Sequence, residues 1–262
     1  MKKRDFLAAL VLSCTFGFST AYAAETLTVG ASPVPHADLL KVVQPKLAQK
    51  GINLKIVEFS DYVQPNLALA DKDLDANFFQ HLPYLQAFSK DRNLKLVSAG
   101  QVHIEPMGVY SSKVKNLKDL KNKAQIGIPN DPTNGGRALQ VLASNGLIKM
   151  KEGVGVNGTP LDITDNPKNI RIVEVEAATL PRALQDLDAA VINSNFALGA
   201  NLNPSKDAIA IESKDSPYAN VVAVRSGDEN KPAVKALMQE LRSPEVKEFI
   251  DKKYNGAIVP AF

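Results

Sequence analysis

One stretch of the chain combines a cation, two amides and a turn in the order that anion capture requires: Ile128-Pro129-Asn130-Asp131-Pro132-Thr133-Asn134-Gly135-Gly136-Arg137. It follows the alternation Gln125-Ile126-Gly127-Ile128 and precedes Ala138, Leu139, Val141 and Leu142, an apolar stripe at helical spacing that stops at Gly146. The pattern predicts a strand, a tight turn and a helix, with Thr133 or Asn134 as the cap. A helix start offers unpaired N–H groups and the positive end of a dipole. Arg137 in the first turn would add a planar fork matched to a carboxylate or phosphate. A plainer reading, a βα turn carrying a solvated arginine, suits the same residues.

Further clusters sit at predicted strand ends, where ligands bind in open α/β sheets. Phe78-Phe79-Gln80-His81-Leu82-Pro83-Tyr84 places aromatics and an imidazole in what reads as a loop, with a structural, capping His81 as its plainer interpretation. Asp61-Tyr62 has the same character. Val191-Ile192-Asn193-Ser194-Asn195 and Ser216-Pro217-Tyr218-Ala219-Asn220 each present amides. An amide offers a donor pair and an acceptor, which suits a ligand with ammonium and carboxylate on one carbon, although an Asx turn explains either stretch alone.

Other chemistries find less support. His36, His81 and His103 are far apart in sequence without ligand spacing, although His103 and Glu105 could point the same way from one strand. No serine sits in a G-x-S-x-G elbow, and Gly135-Gly136 is followed by no Gly-Lys-Ser/Thr. The residues name no reaction, no metal and no cofactor.

The N-terminus has Lys2, Lys3 and Arg4, an apolar run from Phe6 to Phe18, then Ala21-Tyr22-Ala23. This is the anatomy of a secretory signal peptide cleaved after Ala23, and the run is too short to span a membrane. Cys14 is the only cysteine. Val11-Leu12-Ser13-Cys14 loosely resembles a lipoprotein box, but Leu12 is bulky where a small residue is usual, and the apolar run continues past Cys14. A periplasmic protein freed from its leader is therefore expected, with lipid anchoring through Cys14 as the alternative. Removing residues 1–23 lowers the formal charge from +3 to +1 and leaves no cysteine. Charges alternate in sign with no basic block, so nucleic-acid binding has no footprint. The chain is 45% hydrophobic, which supports a packed globule.

The elements that must position these clusters alternate strand and helix, the cadence of parallel α/β units. Strands are expected at Leu27–Ala31, Asn53–Phe59, Leu74–Phe79 and Leu94–Ala99, and in a second run at Ala124–Ile128, Ile170–Val175 and Ala189–Asn193. Helices are expected around Leu40–Leu47 (bent or restarted at Pro45), Tyr62–Ala70, Tyr84–Ser89 and Leu180–Leu187. Asn220–Val224 is a last extended segment before two helices, the second with Ser243 as cap and Pro244 at its first position.

Taken in order, Asp75-Ala76-Asn77-Phe78-Phe79-Gln80-His81, Pro129–Asn134 with Arg137, Asp165-Asn166-Pro167-Lys168-Asn169, Val191-Ile192-Asn193 and Ser216-Pro217-Tyr218-Ala219-Asn220 resemble the MetQ/NlpA family, the methionine-binding proteins of ABC importers. The resemblance runs from about Leu27 to the C-terminus. It implies an α/β fold of the two-lobe periplasmic binding protein type II class, with ligand enclosed in a cleft between lobes. Residues 24–108 completed by 225–262 would form one lobe, and 109–224 the other, with hinge crossings near 107–112 and 220–226. By motif, Arg137 would hold the ligand carboxylate, and Asn193 and Asn220 the α-amino and carboxylate groups. Tyr62, Phe79, His81 and Tyr84 would line a thioether pocket, where sulfur meets aromatic edges. The implied protein is a monomer without enzymatic activity that delivers methionine, L or D, to a membrane permease. Replacing Arg137 with alanine should then abolish binding and leave the fold intact. Another small amino acid, a methionine-containing dipeptide or a role in envelope interactions are the rival readings.

Overall fold

The structure is a computed structural model that describes residues 25–213 and 215–262. The signal peptide and Cys14 lie outside the described residues. Among the described residues no helix is long and apolar enough to cross a membrane.

The chain begins with β1 (Glu25–Ala31), α1 (Asp38–Gln49), β2 (Ile52–Glu58), α2 (Gln64–Ala70), β3 (Ala76–His81), α3 (Leu82–Asp91) and β4 (Leu96–Ile104). α1 runs unbroken through Pro45, because burial of Leu39, Leu40, Val43 and Leu47 on one face outweighs the missing N–H. β3 is buried along its whole length and extends two residues past the expected Phe79. His81 is therefore no loop residue: it ends the strand and caps α3 directly, its ring accepting the Tyr84 N–H.

After β4 the chain enters a second sheet through β5 (Gly108–Tyr110), β6 (Gln125–Pro129), α4 (Pro132–Ser144), the small hairpin β7 (Lys149–Met150) and β8 (Ile163–Asp165), and β9 (Arg171–Val175). α5 (Leu180–Ala183), β10 (Ala189–Ile192), α6 (Ser194–Gly199), α7 (Pro204–Asp207) and β11 (Ala210–Ile211) complete it. α5 is shorter than its apolar pattern predicts, because the chain must turn at Asp186–Asp188 to deliver the Asp188 N–H to the Gln125 carbonyl. Asp131 caps α4, not Thr133 or Asn134: its carboxylate accepts the Asn134 N–H at 2.9 Å.

The chain then returns as β12 (Ala219–Arg225), followed by α8 (Pro232–Leu241), α9 (Pro244–Tyr254) and β13 (Val259–Pro260). The first sheet has the order β13-β4-β12-β3-β1-β2, and the second β11-β5-β10-β6-β9. β1, β2 and β3 are parallel, whereas β12 runs antiparallel between β3 and β4. This corrects the boundary expected at residue 224: β12 lies inside the first sheet. The segments that pass between sheets are 105–107 and 212–218, not the strands at 107–112 and 220–226.

β12 shows why the first lobe is three layers thick. Val222 and Val224 pack with α1, α8 and α9, while Val221 and Ala223 face the opposite core with Leu69 of α2 and Leu85 of α3. Alternation along one strand thus feeds two cores. In the second sheet Ile126, Ile128 and Val191 pack on Leu139 and Leu142 of α4, and Ala190 and Ile192 on the other side with Leu180 and Leu184.

Gly136 has a steric reason to be glycine. A Cβ there would penetrate the backbone carbonyl of Val156, in the loop that packs across α4. Backbone cannot step aside as a side chain can, so Gly136→Ala should destabilise the protein by about 1–3 kcal/mol. Thermal or urea unfolding of the purified variant checks this.

Candidate functional site

Strand pairing brings the separate clusters together. Asn220, at the start of β12, stands beside His81 on β3 and His103 on β4. The turn after β6 and the end of β10 face this edge from the second lobe. One narrow cavity of ≈ 20 Å³ results. Tyr62, Phe79, His81, Tyr84, Arg137, Asn193 and Asn220 all line it.

Arg137 is 2% exposed. Its Nε donates to Glu212 Oε1 at 2.9 Å, and its Nη2 to Glu212 Oε2 at 2.6 Å and the Glu105 carbonyl at 2.7 Å. Its Cζ lies 4.2 Å above the Tyr218 ring. Nη1 has no hydrogen-bond partner among the described residues. Glu105 is on the outgoing crossing segment, and Glu212 and Tyr218 are on the returning one. This arginine therefore ties both connections between the lobes. Arg137→Ala would also destabilise the fold, since the nearly buried Glu212 would lose its counter-ion, at a cost of about 3–5 kcal/mol.

The amides are oriented by what surrounds them. Asn134 Nδ2 donates to both oxygens of Asp131 at 3.0 Å, which turns its Oδ1 toward the cavity. That oxygen accepts from Asn193 Nδ2 at 2.8 Å and faces His81 Nε2 at 3.1 Å. Because His81 Nδ1 already accepts the Tyr84 N–H, the ring proton sits on Nε2 and is donated. Asn193 has then spent its donor, and its Oδ1 is buried without a partner. Asn220 is the opposite case: its Oδ1 faces His36 Nε2 at 3.0 Å, which leaves its NH2 group as the free end. The site thus holds an unused acceptor at Asn193 Oδ1 and unused donors at Asn220 Nδ2 and Arg137 Nη1.

An aromatic wall closes the other side. Tyr62 lies 4.8 Å from Phe196, 5.9 Å from Phe79 and 5.8 Å from Tyr84, ring to ring. Tyr62 Oη donates to Asn195 Oδ1 at 2.5 Å, across the cleft, and Tyr84 Oη to the Tyr62 carbonyl at 2.7 Å. Burial raises both phenol pKa values, so both rings stay neutral. With His81 bonded to Asn134, these contacts hold the lobes together.

Behind Asn220 lies a cluster that sequence spacing concealed. His36 and His103 are distant in the chain, yet Nε2 of each lies 3.2 and 2.7 Å from Glu105 Oε1, and all three side chains are buried. Their ligand atoms lie within 4.8 Å of one another, close enough for a metal ion to be considered. A metal on both Nε2 atoms would move the ring protons to Nδ1, and both Nδ1 atoms are buried without an acceptor. With the His103 Nε2–H donated to Glu105 and the His36 Nε2–H to Asn220 Oδ1, only bare Nδ1 nitrogens are left without partners, so the donor set fits protons better than metal. Burial pushes His36 down to about 4 and His103 to about 3, and burial with the Arg137 charge pushes His81 to about 3. Burial raises the Glu105 and Asp131 pKa values.

Sequence reading missed Gln80, Glu105, Asn134, Ser194 and Asn195 as cavity residues, and Glu212 as the partner of Arg137. Asn134 and Asn195 stood inside motifs already singled out. Glu212 stands in an irregular segment with no pattern around it.

Comparison with known proteins gives a consistent result. The family model described as NlpA lipoprotein matches residues 27–262. The chain is 43% identical to the methionine-binding lipoprotein MetQ of Bacillus subtilis, over 98% of each chain. It is 45% identical to the D-methionine-binding lipoprotein MetQ of Salmonella typhimurium, over 89% of this chain and 87% of that one. A solved nutrient binding protein from Burkholderia cenocepacia, bound to methionine, is 53% identical with a TM-score of 0.87, over 90% of this chain and 100% of that one.

The buried histidines set a pH dependence. Between about pH 4 and 6.5 an unfolded chain protonates its histidines while folded His36, His81 and His103 remain neutral. The unfolded state then binds more protons, so stability falls as pH falls through this window. Glu105 and Asp131, raised in the folded state, act in the opposite sense, and the three histidines set the sign. The Tm should be lower at pH 5 than at pH 7, and His103→Gln should flatten the slope by about one proton. Calorimetry across this range measures both.

Proposed function

This chain belongs to the NlpA lipoprotein family, and we propose that it is an extracytoplasmic binding protein that captures methionine between its lobes and delivers it to a membrane ABC importer. The observation that carries the reading is the buried, unpaired Oδ1 of Asn193 in the same cavity as Arg137. An acceptor without a donor is costly in a folded protein, and a ligand ammonium supplies three.

The roles divide by polarity. Arg137, through its unpaired Nη1, and the Asn220 NH2 group take the carboxylate. Asn193 Oδ1 takes the ammonium. The rings of Tyr62, Phe79 and Tyr84 face the thioether, a polarisable group that packs well on aromatic edges. His81 is neutral and orients Asn134, and through it Asn193, while its ring borders the pocket. The protein performs binding and no catalysis.

In the closed arrangement the Tyr62–Asn195 and His81–Asn134 bonds cross the cleft, so loading requires the lobes to separate about segments 105–107 and 212–218. Ligand that bridges Arg137 and Asn193 on one lobe with Asn220 and the aromatic wall on the other favours the closed state over the open one. A closed, loaded form is what a permease would recognise.

Arg137→Gln should weaken methionine binding by about 100-fold or more, the scale of removing one partner of a buried charge contact. Titration calorimetry on variant shown by circular dichroism to be folded tests this, and undiminished affinity would sink the assignment. Asn220→Asp, which sets a carboxylate against the ligand carboxylate, should lose more affinity than Asn193→Asp, which keeps an acceptor. Mass spectrometry of ligand released from protein purified without added amino acids identifies the occupant, and a different amino acid there would replace methionine in this reading.

A further inference from the structure

Arg137 lines the cavity, but its charge is already matched. Glu212 takes the Nε and Nη2 edge bidentately, at 2.9 and 2.6 Å. Its own position is fixed by the outgoing segment: the Met107 N–H donates to Oε2 at 3.2 Å, and the Glu212 N–H donates to the Met107 carbonyl at 2.9 Å. The Glu212 side chain is only 12% exposed. This carboxylate is a built-in counter-ion, held independently of any ligand.

We propose that Glu212 is a specificity-determining residue that makes the site take carboxylates only when they carry an ammonium group on the same molecule. The inference rests on the amino-acid site described above. A buried arginine without a counter-ion would attract any anion strongly, since charges interact at short range through few screening dipoles. With Glu212 in place the pair is neutral. A zwitterion enters without changing the net charge of the closed cleft. A simple carboxylate of the same shape would leave an unmatched buried anion. Discrimination thus comes from the charge balance as well as from the Asn193 contact.

The test compares methionine with its deaminated analogue, the thioether carboxylate lacking ammonium, by titration calorimetry on wild type, Glu212→Gln and Glu212→Asp. Glu212→Gln should shift the ratio of the two affinities toward the deaminated analogue by about tenfold or more. Glu212→Asp, which keeps the charge, should keep the wild-type ratio. If Glu212 only props up Arg137, both ligands weaken by the same factor in Glu212→Gln, the ratio stays put, and the proposal fails while methionine binding by wild type still stands. Should Glu212→Gln not fold, Glu212→Ala, which leaves room for water, is measured in the same way and decides by the same ratio. Wild type that binds no amino acid at all would overturn the site reading and this inference together.

Discussion

A buried guanidinium must be matched, and satisfying Arg137 on all but its Nη1 corner organises much of this molecule. Its partners are a carbonyl on one crossing segment and a carboxylate and an aromatic face on the other. The residue best suited to grip a ligand anion is thereby also the clasp on both connections between the lobes. In the proposed reading binding and hinge are one assembly, with no need for a relay between distant sites. A change in what Arg137 touches bears directly on the segments that join the two sheets.

The amides show a second constraint, that of hydrogen-bond bookkeeping in a dry interior. Asp131 orients Asn134, which orients Asn193, and His36 orients Asn220. Each amide is left with only one chemical face to offer. A flexible pocket could accept either end of an amino acid in either place, whereas the pocket as proposed would distinguish them before any ligand arrives. The glutamate behind His36 and His103 anchors the second of these chains in the core of the first lobe.

Much of this was legible in the residues. Strand-helix cadence located the longer elements but not the short β7, β8, α6, α7, β11 and β13, and the clusters at strand ends marked seven of the twelve residues that line the cavity, because loops at one edge of a sheet share a cleft by topology. What stayed hidden depended on tertiary pairing. Asn134 and His81 were readable as caps, and His81 does cap a helix, but its second bond reaches into the other lobe. His36 and His103 lie on different elements, so no spacing rule joins them. Glu212 lies between two strands in different sheets, with no periodicity to flag it. β12 was recognised as a strand, yet its membership in the first sheet depends on which edge the returning chain finds.

That last feature reaches back into how the protein is made. The interior position between β3 and β4 is filled only by a strand that emerges more than a hundred residues later, after the whole second sheet. Residues 108–211 form a contiguous unit that can complete its own sheet early, while the first sheet waits with two unpaired strand edges. Closing that gap carries the entropy of a long loop and the delay typical of non-local strand pairing. Until it closes the chain lacks a finished first lobe, and that late arrival suits export: a precursor that cannot complete its fold stays longer in an unfolded form that can be threaded across a membrane.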